Sequence, residues 1–437
     1  MRYLSHTPEE LRSMLDAIGV KNVSDLFKSI PQGVRMSGPI DIKPRTEWEL
    51  LAEFSDMAES NCASVMFLGA GCYQHHIPAH IPYLAGRSEF LTSYTPYQPE
   101  VSQGTLQAVF EFQTMTADLL GMEVANASMY DGANSFAEAA LMALRLKKSA
   151  NKVAYSRLNH PHYVETMHTY FRPAGFESVE LPILPNGRTD FSKIPDDVAA
   201  VIVQSPNFAG VIEDLDAAAK AAKEKGVLLV VSFTEAMAWG LLKNPGSCGA
   251  DIVCGEGSSF GIPLNTGGPG VGLLACRKKN VRSIPGRLVG ETTDKNGNRS
   301  FVLTLAAREQ HIRREKADSN ICTNSGHNAL TAAMYMATAG SQGLHAIAKL
   351  NHDKAAYLKA GLEKAGFKPL FDGPFFNEFA MKAPAGFEKR YEDLAKKGFV
   401  AGLDLGRYFP EYKGAWIFCA TEVHTREEID AFLKEVA

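Results

Sequence analysis

The segment Thr92–Gly104 holds the densest group of side chains that could act on a small molecule. It reads Thr-Ser-Tyr-Thr-Pro-Tyr-Gln-Pro-Glu-Val-Ser-Gln-Gly, and its two prolines restrict the backbone around the polar groups. Such a loop builds a core poorly, but it can line a pocket with oriented hydrogen-bonding groups. An ordinary solvent loop rich in turn residues is the alternative. The candidate pocket residues are Tyr94, Tyr97, Gln98, Pro99, Glu100 and Ser102.

A second polar segment, Tyr73–His80, contains three histidines. Pro78 disfavours the helix that would bring His76 and His80 to one face, and no cysteine or carboxylate stands beside them at ligand spacing. A metal site is therefore not expected. We add Tyr73 and His75 to the candidate pocket, while a hydrogen-bonded structural histidine is the other interpretation of His75.

Two further motifs bear on phosphate binding. Asp131–Ser135 opens a predicted helix, whose free N–H groups and positive dipole end suit phosphate, although capping by Asp131 or Asn134 explains the same residues. Gly270–Ala275 matches G-x-G-x-x-A, but Val271–Cys276 is typical of a strand, whereas a dinucleotide fingerprint needs a helix there. We therefore do not expect dinucleotide binding.

Composition limits the remaining classes of function. The 437 residues are 45% apolar and 22% charged with net charge −4, so nothing favours nucleic acid or an anionic membrane as a partner. No apolar run approaches about 18 residues, and no signal peptide is recognised. Seven cysteines without a C-x-x-C pair indicate reduced thiols, so a cytoplasmic protein is expected.

Strand-like apolar runs alternate with helical stretches along the middle of the chain, which predicts a mainly parallel sheet covered on both faces. After Asn324, long helices near 327–349 and 351–365 precede short strands and helices. We therefore expect an N-terminal helical segment (1–63), a large α/β domain (64–325) and a small α+β domain (326–437). The predicted strands are Val153–Tyr155, Val201–Gln204, Val227–Ser232, Ile252–Cys254 and Val271–Cys276.

Several stretches together resemble the P-protein family of the glycine cleavage system, and within it the alpha chains (subunit 1) of the two-chain glycine decarboxylases. They cover the chain from about residue 64 to residue 324, and the match is less dense beyond residue 330. The stretches are Leu68–His75, Thr92–Gly104, Tyr130–Ala133, Gln204–Phe208, Pro285–Thr292 and Arg308–Asn324.

The resemblance implies the fold of the fold-type I pyridoxal-phosphate (PLP) enzymes, as in aspartate aminotransferase. In that fold a lysine on a loop after a strand anchors the cofactor. This chain has no lysine between Lys243 and Lys278, and alignment with the beta-chain motif places Ser258 at the lysine position and Gly257 at the neighbouring histidine. The beta-chain aspartate that meets the pyridine nitrogen also lacks a counterpart in Ser232–Glu235.

The resemblance therefore implies an alpha subunit that is inactive alone. Because this chain lacks the lysine, PLP would be held covalently by a beta subunit, and the two kinds of chain would assemble as α2β2. Glycine would be decarboxylated, and the aminomethyl group would pass to the lipoyl arm of the H-protein. Two alternatives stay open: a self-sufficient PLP enzyme that uses Lys243 or Lys278, and a non-catalytic interaction or regulatory relative, which the retained pocket loop argues against.

Overall fold

The computed structural model describes residues 5–36, 38–61, 65–265 and 267–437. The chain divides into two units, residues 1–62 and 63–437, and each is described by itself. The first unit contains helices α1 (Pro8–Ile18) and α2 (Glu47–Ser60), each opened by a threonine–glutamate capping box. No side chain in residues 5–36 and 38–61 is buried. The predicted boundary at residue 63 lies outside the described residues.

The second unit is built around a seven-stranded sheet and a smaller four-stranded sheet. Its strands are β1 (Val65–Met66), β2 (Val124–Ala125), β3 (Lys152–Ser156), β4 (Glu177–Leu181), β5 (Ala200–Gln204), β6 (Leu228–Phe233), β7 (Ile252–Glu256), β8 (Gly272–Cys276), β9 (Leu288–Thr293), β10 (Arg299–Thr304), β11 (Lys368–Pro369), β12 (Glu378–Lys382), β13 (Phe399–Val400), β14 (Leu403–Asp404) and β15 (Ala415–Cys419).

The large sheet has the strand order β2-β8-β7-β6-β5-β3-β4. Strands β7, β6, β5, β3 and β4 run parallel to one another. At one side of the sheet, β8 pairs antiparallel with β7, and β2 pairs antiparallel with β8. All five residues of β5 are buried, as expected for a strand covered on both faces. The five strands predicted from apolar runs are confirmed. Strand β8 also confirms that no helix begins within the G-x-G-x-x-A motif.

Helices cover the sheet and carry the connections between its parallel strands. Within the described residues, no helix is both long enough and apolar enough to span a membrane. The helices of this unit are α3 (His80–Ala85), α4 (Ser88–Leu91), α5 (Gln103–Leu120), α6 (Gly132–Leu146), α7 (Pro161–Ala174), α8 (Leu215–Lys225), α9 (Gln310–Arg313), α10 (Gly326–Lys364), α11 (Phe387–Lys396) and α12 (Arg426–Val436).

The long helix α10 is interrupted at Gly340, where φ is 60° and ψ is −179°. The predicted interruption at residue 350 is wrong. Asn351 continues the helix because its side-chain amide donates to the Ile347 carbonyl (2.8 Å) and to Glu422 (2.8 Å), which fixes it in the helical conformation. The break falls ten residues earlier because glycine adopts a positive φ at little steric cost.

The small sheet has the order β11-β12-β15-β14 and is antiparallel throughout. Its aromatic core includes Phe67, Phe418 and Phe432, all almost fully buried. Phe67 follows β1, which pairs in parallel with β13 and so joins the start of this unit to its C-terminal part. The division into domains at residue 325 stays a prediction.

Gly210 provides a test of the packing between the loop after β5 and strand β12. A Cβ atom there would lie 2.2 Å from the Glu378 carbonyl oxygen, and φ is +84°. At Gly175, φ is +71° and nothing lies within 4 Å of such an atom. We expect Gly175→Ala to cost about 1 kcal/mol through backbone conformation alone, and Gly210→Ala to cost about 3 kcal/mol or more. Urea unfolding measures both; equal losses would contradict this packing.

Candidate functional site

A cavity of about 440 Å³ opens beside the proline-containing loop. One wall comes from residues 90–96, and another from residues 323–328, which lead into α10. Its lining is mixed, since Leu91 and Val289 present apolar surface whereas Arg287, Asn324 and Asn328 present hydrogen-bonding groups. A concave apolar site with a few polar groups is the usual form of a small-molecule pocket.

The structure places only part of the predicted loop site at this cavity. Tyr94 lines it and is 81% exposed at its rim. The next predicted residues lie outside the lining: Tyr97 and the short 3₁₀ turn Pro99–Val101 lead into α5. Gln103 fixes this turn by donating to the Pro99 carbonyl (2.7 Å) and to the Phe301 carbonyl (2.9 Å). Gln98, Pro99, Glu100 and Ser102 thus form the continuation of the loop rather than the wall of the cavity.

Arg287 anchors the loop from beneath. Its guanidinium donates to the Tyr97 hydroxyl (2.8 Å) and to the Thr95 hydroxyl (3.3 Å), and its central carbon lies 5.1 Å from the Tyr97 ring centroid. Glu309 balances the buried charge, with 3.7 Å between the Arg287 Nε and a Glu309 carboxylate oxygen. Sequence reasoning gave Arg287 no role. Its place in the stretch Pro285–Thr292, within the family resemblance, was the available signal.

Tyr73 and His75 lie in a separate, buried network. The Tyr73 hydroxyl donates to Glu378 Oε1 (2.8 Å) and bonds the Thr234 hydroxyl (3.0 Å), while Glu378 Oε2 accepts the Ala70 N–H (2.8 Å). Burial raises the pKa of Glu378 to about 7, although the Ala70 and Tyr73 donors lower it. Tyr73 is therefore held inside the protein, and neither it nor His75 lines the cavity.

His75 is enclosed by two carboxylates. Its Nε2 lies 3.0 Å from Glu235 and its Nδ1 2.9 Å from Glu422, and its side chain is 3% exposed. Burial alone would lower the pKa of His75, but the two carboxylates outweigh it and raise this pKa to about 10. Asn377 and Asn351 donate to the same carboxylates. In the described part of the chain, no group of three or more His, Cys, Asp or Glu side chains could hold a metal ion.

A third cluster joins the end of β7 to the start of α6. Asp131 caps α6 because its Oδ1 accepts the Asn134 N–H (2.7 Å), which confirms the capping interpretation. The Gly132 N–H instead donates to Glu256 Oε2 (2.8 Å), and the Ser258 hydroxyl donates to Glu256 Oε1 (2.5 Å). Burial raises the pKa of Glu256, against the lowering effect of these donors. Sequence reasoning missed Glu256, since its partner at the start of α6, Gly132, lies 124 positions away in the chain.

The arrangement of a mainly parallel central sheet with a small antiparallel sheet is shared with solved enzymes. An aspartate aminotransferase from Thermus thermophilus matches with a TM-score of 0.59 and 15% identity, covering 85% of this chain and 97% of that one. The chain therefore has the fold of the fold-type I PLP-dependent enzymes, and the predicted fold class is confirmed.

More specific matches define the family. The family model described as glycine cleavage system P-protein matches residues 1–436, and the chain belongs to that family. A Desulfotalea psychrophila protein named probable glycine dehydrogenase (decarboxylating) subunit 1 is 51% identical, over 100% of this chain and 98% of its own length. A crystal structure of an inhibitor-bound glycine decarboxylase (P-protein) is 45% identical, with a TM-score of 0.90 and coverage of 100% and 99%. The family resemblance is thus confirmed.

The residues of this chain do not fit covalently held PLP. Ser258, which the family resemblance aligns with the lysine position, has no amine, and its hydroxyl donates to Glu256. Of the two nearest lysines, Lys243 is exposed and pairs with Asp216 (2.7 Å). Lys278 is exposed and follows β8. Because the end of β8 pairs with the start of β7, whereas Ser258 follows the end of β7, Lys278 and Ser258 lie at opposite ends of these two strands. These positions argue against the self-sufficient enzyme.

The pKa of His75 leads to a test by pH. Since this pKa is raised from 6.5 to about 10, its stabilising contribution is complete below about pH 6.5 and is lost as pH rises through 10. The pKa of Glu422 is lowered to about 2, so its contribution is lost only in acid. We expect the difference in unfolding free energy between wild type and His75→Asn to shrink from pH 7 to pH 10, by up to about 1.4 kcal/mol per pH unit.

Urea unfolding at a series of pH values gives this difference directly. His168→Asn is the matched control, because the His168 ring bonds the Ser178 hydroxyl (2.9 Å) rather than a pair of carboxylates. Its difference from wild type should stay level over the same pH range. Parallel pH profiles for wild type and His75→Asn would mean that His75 is not held as a cation between Glu235 and Glu422.

Proposed function

We propose that this chain is the alpha subunit (subunit 1) of a glycine decarboxylase, and that it completes an active site whose PLP is held by a lysine on a beta subunit. The observation that carries the proposal is a built cavity, lined by the family's loop, on a chain whose lysine position is occupied by Ser258. The curated relative named subunit 1 and the solved P-protein support this assignment.

The rim of the cavity supports a shared site. The segment from α3 to the 3₁₀ turn carries large side chains that are exposed despite their apolar character. An exposed apolar patch beside a polar cavity is typical of a protein interface. We place the beta subunit against this patch, where it would cover the loop and close the cavity. The exposed side chains are Tyr83, Leu91, Tyr94, Tyr97 and Val101.

The cavity offers groups suited to glycine. Its polar side chains can orient the carboxylate of the amino acid, while the surrounding apolar wall excludes water and so favours loss of CO2. PLP on the partner would supply the electron sink for that step. Tyr94 stands at the entrance, and Tyr97, Gln98, Pro99, Glu100 and Ser102 extend the loop along the path we propose for the lipoyl arm of the H-protein. Tyr73 and His75 would support this surface from inside.

We further propose an α2β2 assembly in the cytoplasm. The name subunit 1 among the relatives supports a second type of chain. The described cysteines are all free, which suits a reducing compartment. A non-catalytic relative would have no need of the loop and of the buried arginine that positions it. Co-purification with a lysine-bearing chain of the same family separates the two functions.

The test is glycine decarboxylation by this chain combined with the beta subunit, measured as release of labelled CO2. Neither chain alone should be active. Tyr97→Phe removes the acceptor that the Arg287 guanidinium bonds at 2.8 Å. We expect kcat/KM to fall about 10-fold or more, since a hydrogen bond to a charged group contributes about 1.5–3 kcal/mol.

Tyr357→Phe is the matched control. It removes a hydroxyl that bonds Asp430 (2.6 Å) on the surface between α10 and α12, and it should leave decarboxylation unchanged. Unchanged activity in Tyr97→Phe would remove Tyr97 from the site. Full activity of either chain alone would contradict the shared site itself.

A further inference from the structure

We infer that the Glu256 carboxylate is a built-in substitute for the phosphate of the cofactor, so that this chain's own copy of the PLP site is closed by one of its own side chains. The inference concerns the isolated chain and rests on the fold, not on glycine decarboxylation. Two sequence features lead to it: a helix start suited to phosphate at Asp131–Ser135, and Ser258 at the lysine position.

The structure brings these two features together through one side chain. Glu256 Oε2 accepts the Gly132 N–H at the start of α6 (2.8 Å). Its Oε1 accepts the Ser258 hydroxyl (2.5 Å) and the N–H groups of Gly257 (3.1 Å), Ser258 (3.0 Å) and Val271 (2.9 Å). Five donors and the positive end of a 15-residue helix therefore converge on one carboxylate. The Gly132 N–H and the helix dipole are what a helix start offers to a phosphate group, and the other four donors come from the segment after β7 and from Val271.

Little space remains around the carboxylate for a second anion. A Cβ atom on Gly270 would lie 2.9 Å from Glu256 Oε2, so the backbone of the loop before β8 closes on it. On the other side, a Cβ atom on Gly132 would lie 2.0 Å from the Tyr163 hydroxyl and 2.9 Å from the Glu256 N. A phosphate could reach the Gly132 N–H only if the Glu256 side chain moved away.

The remaining cofactor contacts are also satisfied within the chain. Glu235 follows β6, near the position of the acid that would meet the pyridine nitrogen, but it accepts the Ser259 hydroxyl (2.6 Å) and pairs with His75 (3.0 Å). Ser258, at the lysine position, is turned onto Glu256. The polar groups at both ends of the expected cofactor site thus have protein partners.

The consequence is a chain that needs no cofactor to complete its fold. A helix start in the interior carries N–H groups that must be satisfied, and Glu256 satisfies one of them permanently. Removing the carboxylate without filling its space should leave an anion site of the size that phosphate requires.

The test is binding of inorganic phosphate and of PLP to the purified full chain, measured by calorimetry and by thermal unfolding at constant ionic strength. Wild type should show no phosphate-dependent rise in Tm. Glu256→Ala should bind phosphate at least 10-fold more tightly than wild type and gain Tm with it. Glu256→Gln, which keeps the volume, should not gain this response.

Glu213→Ala is the matched control. This buried carboxylate accepts from Thr189 (2.9 Å) and Asn207 (3.1 Å), and neither of these donors belongs to the start of an α-helix. Its loss should not create phosphate binding. Phosphate binding to wild type, or equal responses of the two alanine variants, would overturn the inference.

A second measurement covers the case in which Glu256→Ala does not fold alone. The double variant Glu256→Ala with Ser258→Lys is refolded with PLP, reduced with borohydride, digested and mapped by mass spectrometry. We expect a stoichiometric adduct at position 258, and little adduct there when only Ser258→Lys is made. Equal labelling of the two would show that Glu256 does not keep PLP out. None of these measurements involves glycine, so their failure is distinct from failure of the proposed function.

Discussion

Charged groups at the carboxyl edge of the central sheet must be satisfied, and much of the arrangement around them follows from this constraint. Parallel strands end together at one edge, so Glu235 after β6 and Glu256 at the end of β7 are brought close to the start of α6 and to His75. An isolated carboxylate there would cost several kcal/mol. Each instead has a cation, N–H groups or hydroxyls as partners. In the fold-type I enzymes a bound cofactor occupies this edge.

The carboxylates of Glu235 and Glu256 are stabilised by different kinds of partner. Glu235 is neutralised by a histidine from a loop near the beginning of the unit, which ties that loop to the sheet. Glu256 receives N–H groups and a hydroxyl, which fix its position without adding a counter-charge. The first arrangement stabilises a junction between distant segments, and the second closes the end of the helix. Both arrangements leave the carboxylates at this edge with partners from the protein itself.

Most of the central sheet could be predicted because its strands are buried on both faces and are therefore continuous apolar runs. Strand β4 and the hairpin of β9 and β10 were missed since they are partly exposed and lack such runs. The break at Gly340 was placed too late because a lone glycine is common in helices, and only its φ reveals the interruption. Local pattern thus predicts elements whose burial is uniform.

The site was less predictable for a different physical reason. The composition of the loop around Tyr94 marks it as polar and restrained, but the depth at which Tyr73 and His75 lie depends on Glu378 and Glu422, more than 300 residues away. Glu256 carries no local motif, since its role arises from a helix that begins 124 positions earlier in the chain. The family resemblance showed that the cofactor lysine is missing, whereas the contacts of Ser258 and Glu256 at that position could be found only in the structure.

The closed site at Glu256 bears on the proposed division of labour between this chain and a beta subunit. A site that has lost its lysine but keeps an open phosphate position would still bind PLP weakly, without anchoring it where catalysis occurs. Filling that position with Glu256 removes the competing site at the cost of one partly buried carboxylate. Glu256 does not line the cavity beside Arg287, which retains its loop, its polar groups and its exposed apolar rim. Closing one site while keeping the other surface open is what a subunit specialised to complete its partner's active site requires.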